Sequence, residues 1–493
     1  MGSPLFVEAE WDFGTLDRTY KAIEDIALNE LKLDVYPNQI EVISSEQMLD
    51  AYSSLGMPLM YNHWSFGKLF AREENMYRAG YSALAYEIVI NSSPCISYLL
   101  EENTMTMQAL VMAHAAFGHN HFFKNNYLFQ QWTNAEGILD YLAFAKRYIS
   151  ACEEKHGRGE VEAILDSAHS LMDQGVFRYR RPPRPSRERA REKHERRVAY
   201  AEEAYSELWR TLPAGVEPPA PPPTPDPDES DGDMKLPEEN ILYFLEKHSP
   251  ALKAWQRETL RIVRNLAQYF YPQRQTKVMN EGCATFVHHT IMNLLFDRGL
   301  INEGSIFEFL HSHTSVVFQP EFDDRRYHGI NPYALGFAMM SDIKRIATEP
   351  TDEDRDWFPQ LAGSGDWMGA LKDAWMNYRD ESFIEQYLSP KVMRDMRLFG
   401  LFDKADDATY KVSAIHNEGG YRRVRSTLAR QYDVGTEANI QVTGADLKGD
   451  RRLLLEHRMH RGVPLHDKTR DMVLAHVERL WGHEVVLEEV AED

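Results

Sequence analysis

Between Arg178 and Met234 the chain cannot add to a core. YRRPPRPSRERAREKHERR is densely charged and basic, and AGVEPPAPPPTPDPDESDGDM is rich in proline and acid. Such a composition buries too little apolar surface to offset the entropy of ordering, so it reads as a linker or exposed excursion. The basic half has the charge to meet an acidic partner, but a solvated helix is the commoner use of such a run. The excursion, expected over 178–236, divides the ordered chain into parts at 1–177, 237–407 and 408–493. Anything built from the first two parts has to be assembled across it by packing.

Each of those parts carries one histidine-rich segment in an apolar setting. VMAHAAFGHNHFFKNNYLF, Val111–Phe129, places His114, His119 and His121 within eight residues. MNEGCATFVHH, Met279–His289, answers it with Glu281, His288 and His289. Neutral imidazole with carboxylate suits zinc, iron and related metals. Residues seven apart share a helix face, so Glu281 and His288 face one way, with Ala284 and Thr285 small enough between them for a second helix to approach. His114 and His119 are five apart, which a regular helix splays by about 140°. Either a local bulge near Gly118 brings them together, or His119 and His121 share a non-helical segment. HAAFGH is close to the zinc-peptidase signature HExxH, with Ala115 in place of the glutamate and one residue too many. The expected ligands are His114, His119, Glu281 and His288, around a divalent metal, zinc or iron. A general base must then come from elsewhere. Glu87, a carboxylate in the apolar run LAYEIVINSSPCISY, is costly to bury unpaired. Glu136 and Asp140, four apart on the amphipathic helix AEGILDYLAFAKRYISAC, are the other two candidates. His63 in YNHWSFG, His121, Lys124, Asn125 and His289 are expected around the site or against substrate, with Trp64 as a packing anchor. For each of these taken singly, a core or capping role is the commoner use.

The remaining pattern is mainly helical. Trp11–Asn29 and Glu46–Ser54 are amphipathic helices flanking a strand-like Val35–Ile43. After Pro237, three helices follow, the second opened by Ser249-Pro250, the third preceded by Pro272 and ended at Gly299. His311 and His313 form an HxH pair. Asn331–Thr348 is a helix whose Ala334, Gly336 and Ala338 permit close packing. Beyond Leu401, a strand, a helix with Arg422, Arg423 and Arg425, a hairpin at Lys448-Gly449-Asp450, another helix and a last strand read as a small α+β domain. The expected class is a mainly α, multi-helix core with a gluzincin-like metal site, plus that C-terminal α+β domain.

With a net charge of −21, nonspecific nucleic-acid or anionic-membrane binding is not expected of the whole chain. Cys95, Cys152 and Cys283 form no CxxC spacing and no even framework, which fits a reducing cytoplasm. No leader and no transmembrane segment is expected.

YNHWSFGKLF, LAYEIVINSSPCISYLLEENT, GHNHFFKNNYLF, ILDYLAFAKRYI, MNEGCATFVHH, NPYALGFAMMSDIKRI and IHNEGGYRRVR together resemble the stage V sporulation protein R (SpoVR) family, from Trp11 to the last strand. Cys283 stands where an EGWA-type segment of that family has tryptophan. The resemblance implies a bacterial, cytoplasmic protein of spore-cortex or stress physiology. It also implies a PrkA-type serine protein kinase and a von Willebrand-like protein as partners. Three functional classes stay open. They are a metal-dependent hydrolase of peptide or amide bonds, a non-catalytic regulatory or scaffold partner of the kinase, and a non-haem iron site for oxygen chemistry.

Overall fold

In the computed structural model the residues described are 3–53, 60–64, 68, 87–178, 236–321, 324–398, 400–402, 411–413, 418–434, 437–447 and 449–491. The excursion lies almost wholly outside them, as do Lys448 and most of YNHWSFGKLF after Trp64; the hairpin expected around Lys448-Gly449-Asp450 joins two antiparallel strands.

Asp12 caps the first helix, α1 (Phe13–Asp25), by accepting the Thr15 N–H at 2.6 Å. A wide turn, Ile26–Glu30, extends it. Then come β1 (Asn38–Ile43), α2 (Ser45–Ser53), β2 (Glu87–Ile90) and β3 (Cys95–Leu100). These strands form one sheet in the order β1-β3-β2, with β1 parallel and β2 antiparallel to β3; Glu87 pairs with Leu99. The apolar run around Glu87 is thus two strands, broken where Asn91–Pro94 interrupts it.

Next in the chain are α3 (Met105–Met112), a π-helical segment (Ala113–His119), α4 (Asn120–Asn125), α5 (Tyr127–Trp132), α6 (Ile138–His156) and α7 (Arg158–His169). The later part holds α8 (Ile241–His248), α9 (Ala254–Gln275), α10 (Lys277–Asp297), α11 (Glu303–Val316), α12 (Pro332–Thr348), α13 (Asp352–Trp357), α14 (Trp367–Asn377), α15 (Asp380–Tyr387) and α16 (Pro390–Asp395). The chain ends with β4 (Gly400–Phe402), β5 (Lys411–Ser413), α17 (Glu418–Gln431), β6 (Asn439–Ala445), β7 (Leu453–Met459), α18 (Asp467–Trp481) and β8 (Val485–Ala491).

Two boundaries differ from expectation. Ser249-Pro250 sits before α9, which begins at Ala254, and Pro272 falls inside its last turns rather than ending it. Gly299 does close α10, at φ 67°, a conformation glycine adopts without strain.

The described residues form two main cores. The first surrounds α10, whose apolar residues run right round it, as in a fully buried helix. The π segment, α12, α14 and α15 supply its walls. The second holds α6, α7, α8 and α9 against β6-β7-β8 and α18, with Trp481 fully buried. Leu428 and Ala429 of α17 belong to the first core. The strand unit proper begins at Asn439, later than the expected start at 408.

Close helix approach depends on glycine at two places. A Cβ on Gly118 would lie 2.5 Å from Ala284 Cα, so the main chains of the π segment and α10 pass too closely for a side chain between them. A Cβ on Gly282 would lie 2.6 Å from Gly336 Cα, so α10 and α12 touch backbone to backbone.

Candidate metal centre

Thr104 starts the site. Its side chain accepts the Met107 N–H and fixes the N-terminus of α3, whose eight residues are all buried. The helix then widens over Ala113–His119. A π turn bonds i to i+5, so residues five apart stack. His114 and His119 therefore stand together, ring centroids 4.6 Å apart and nearly perpendicular.

Three elements converge. His114 Nε2 lies 3.2 Å from Glu87 Oε1 at the first residue of β2. His119 Nε2 lies 3.6 Å from Glu281 Oε2 on α10. Among the described residues, Glu87, His114 and His119 offer ligand atoms that all lie within 4.8 Å of one another. The imidazoles are buried; the two carboxylates keep 18% and 17% of their side chains exposed, so the centre opens on its acidic side.

The far nitrogens are engaged. His119 Nδ1 is 2.9 Å from Asn280 Oδ1, and His114 Nδ1 is 2.8 Å from His288 Nδ1. An amide oxygen only accepts, so Nδ1 of His119 carries the proton of this bond and Nε2 is the nitrogen turned to the carboxylates. Glu281 Oε2 is buried and takes no hydrogen bond from the described residues, nor does the Thr285 hydroxyl one turn along the same face. Burial pushes Glu87 up to about 8, with Glu281 adding repulsion. Burial holds His114 well below its ordinary value, with His119 and His288 adding to it, so it is neutral, as a ligand must be.

The N-terminus of α10 is held by Asp380 from α15. The Val278 and Met279 N–H groups each donate to its carboxylate at 2.9 Å. Burial raises Asp380 to about 7 against those donors.

The structure thus brings together Glu87, His114, His119 and Glu281, with His288 behind His114 rather than facing the centre. Glu136 and Asp140 are exposed, one just before α6 and one in its first turn. The inner side of α6 instead packs Ile138, Leu142 and Ile149 into the second core. His121 follows the π segment and points elsewhere; the Asp34 N–H donates to its Nδ1 at 3.0 Å. Lys124 pairs with Asp34, and Asn125 donates to the Asp34 carbonyl. These three residues tie down the chain ahead of β1. His63 lies 3.1 Å from Asp166 on α7. Trp64 is 50% exposed and donates to Asp166 at 2.7 Å, so it is not a packing anchor. His289 is half-buried beside His313 and Phe337. Two residues stood outside the expected site: Asn280, whose only sequence signal is its place beside Glu281, and His313, one of the HxH pair. His313 Nδ1 meets His288 Nε2 at 3.0 Å. His311 is exposed.

The family model described as SpoVR like protein matches residues 10–437. The SpoVR-like C-terminal domain matches residues 438–492. This chain belongs to the SpoVR-like family. A curated relative from Escherichia coli (strain K12), named "Uncharacterized protein YcgB", is 54% identical over 485 residues, covering 98% of this chain and 93% of that protein. No solved structure matches. The division between the two SpoVR-like models falls at the start of β6, where the second core takes up the strand unit. No described helix of this SpoVR-like chain is long and apolar enough to cross a membrane.

Proposed function

We propose that this SpoVR-like protein is a metal-dependent hydrolase of amide or peptide bonds, with His114, His119 and Glu281 holding a divalent ion of the zinc or iron kind. One observation carries the reading. Two imidazole nitrogens, one of them backed by an amide oxygen, aim at two carboxylates, and one carboxylate oxygen is buried without a hydrogen-bond donor. A buried acceptor left in that state is costly unless a cation faces it. The donor set, two nitrogens and a carboxylate oxygen, is that of mononuclear catalytic centres. Such an ion supplies Lewis acidity toward a carbonyl oxygen or a water.

The two carboxylates divide the work. Close like charges cannot both ionise freely, so one of them carries a proton near neutrality. Glu87, raised to about 8, takes that role and moves a proton at Oε1 beside His114. Ala115 occupies the place where HExxH peptidases put this group; here strand β2 brings it in instead. Phe123 stacks on His119 and gives the site an apolar wall on that side.

Metal analysis of the purified protein tests the reading. Near-stoichiometric zinc or iron is expected. Glu281→Gln should lose it. Glu87→Gln should keep it while abolishing hydrolysis of peptide amides. Metal-free native protein would overturn the proposal.

A second reading has one observation in its favour. Phe307, 69% exposed, and Leu310 put apolar surface on the outer side of α11, as a docking helix for a protein partner would. The PrkA-type kinase implied by the family is the partner to try, and Phe307→Ser should weaken co-purification without changing metal content.

A further inference from the structure

The groups behind His114 do more than fill space. His114 Nδ1 meets His288 Nδ1 at 2.8 Å, and His288 Nε2 meets His313 Nδ1 at 3.0 Å. Three helical segments, the π segment, α10 and α11, each supply one ring. All three rings are buried. Phe309 stands edge-on to His288 at 6.0 Å and Phe337 edge-on to His313 at 4.7 Å, so apolar walls flank the chain.

We infer that His114, His288 and His313 form a reversible imidazole chain whose hydrogen-bond direction is set by the metal centre, with His313 as its anchoring positioning residue. This rests on the metal reading above. A neutral ring holds one proton, on one nitrogen or the other. With a cation at His114 Nε2, the His114 proton must sit on Nδ1 and is donated to His288 Nδ1. His288 then carries its proton on Nε2 and donates it to His313 Nδ1. His313 in turn carries its own on Nε2. Without the cation, the whole order runs backwards. His313 Nδ1–H donates to His288 Nε2, His288 Nδ1–H donates to His114 Nδ1, and His114 Nε2–H donates to Glu87 Oε1 at 3.2 Å. Both directions use the same two ring-to-ring contacts, and no ring changes charge between them.

His119 has no such freedom. Its partner, Asn280 Oδ1, accepts only, which holds His119 in the ligand tautomer whether or not a metal is bound. The centre therefore has one fixed and one switchable imidazole. The switchable one depends on an acceptor two rings away, His313 Nδ1.

The test uses full-length protein labelled with 15N-histidine and zinc as the only added ligand. Long-range 1H–15N spectra distinguish the two ring tautomers. His114, His288 and His313 should all exchange tautomer on zinc addition, while His119 keeps the same one. His313→Leu should weaken zinc binding about 10- to 100-fold, and His313→Gln, whose side-chain carbonyl can accept from His288, should recover most of it. Zinc binding by His313→Leu within twofold of wild type, or no recovery with His313→Gln when both variants melt like the wild type, would overturn the inference. Absence of zinc binding in the wild type would sink the metal reading instead. The chain is then judged on the metal-free spectrum alone. His114 protonated on Nε2 supports it, and His114 protonated on Nδ1 overturns it.

Discussion

Two clusters among the described residues each set at least two histidines beside carboxylate, and they are put together differently. At the candidate metal centre, His114 and His119 turn their backs to His288 and Asn280 and their other nitrogens to Glu87 and Glu281. On α7, His63 lies 3.1 Å from Asp166, the Trp64 N–H donates to the same carboxylate oxygen, and the Tyr61 hydroxyl lies 2.6 Å from His169 Nε2. The two imidazoles of this second cluster, His63 and His169, stand edge to face at 4.6 Å. Burial pushes both imidazoles down, His169 to about 3. Residue types are nearly the same in the two clusters. What differs is where the donors go. On α7, indole and phenol engage the carboxylate and the imidazole directly, so the cluster is a polar clasp between residues 61–64 and the helix. At the centre, the donors are spent on the far side, and a buried Glu281 oxygen is left without one. Proximity of ligand-type residues is therefore a weak criterion; the direction of each nitrogen is the stronger one.

The sharpest way to break this comparison is to remove ligands from both clusters. His119→Ala/Glu281→Ala should take metal content from near one per chain to none, whereas His63→Ala/Asp166→Ala should leave it unchanged by elemental analysis. A loss in both would erase the distinction. The second effect is on pH. Glu87, raised from 4.5 to about 8, favours the folded protein in its protonated form. In metal-free protein its stabilising contribution is full below about pH 4.5 and is lost as pH rises to about 8. A neighbouring cation favours the carboxylate form of Glu87 without requiring its proton to leave, so zinc affinity should rise by no more than about tenfold in total between pH 7 and about pH 8 and then level off. Titration calorimetry across that range should show the rise in wild type and not in Glu87→Gln. Third, Gly118→Ala puts a methyl group into Ala284 and should cost about 1–3 kcal/mol, lowering the melting temperature and weakening metal binding together. The smallest effect sharpens the other side. Tyr61→Phe should cost about 1 kcal/mol through its lost hydrogen bond to His169 and leave metal content untouched.

Much of the centre was readable from spacing. The seven-residue step from Glu281 to His288, the small Ala284 and the misfit of HAAFGH to a regular helix all pointed to two segments meeting at a widened turn. Glu87 was legible as a carboxylate too costly to bury alone, but not its delivery by an edge of the β1-β3-β2 sheet, since strand pairing is nonlocal. Glu136 and Asp140 misled because a polar stripe on a helix looks the same whether it meets solvent or a site. His313 was visible only as half of an HxH pair. Which of two alternate residues faces inward depends on the register of α11 against α10, and local sequence does not set that. The helical class and the C-terminal strand unit followed from periodicity. α17 went to the helical core because Leu428 and Ala429 find apolar partners there.

The contact between Gly282 and Gly336 has a mechanical meaning. Where two main chains press together with no side chain as spacer, neither rod can slide or roll without collision. Glu281 is the residue next to that contact, so its wall of the cleft behaves as an anvil. Glu87 rides instead on the edge strand β2, which is hydrogen-bonded along one side only, the lighter of the two jaws.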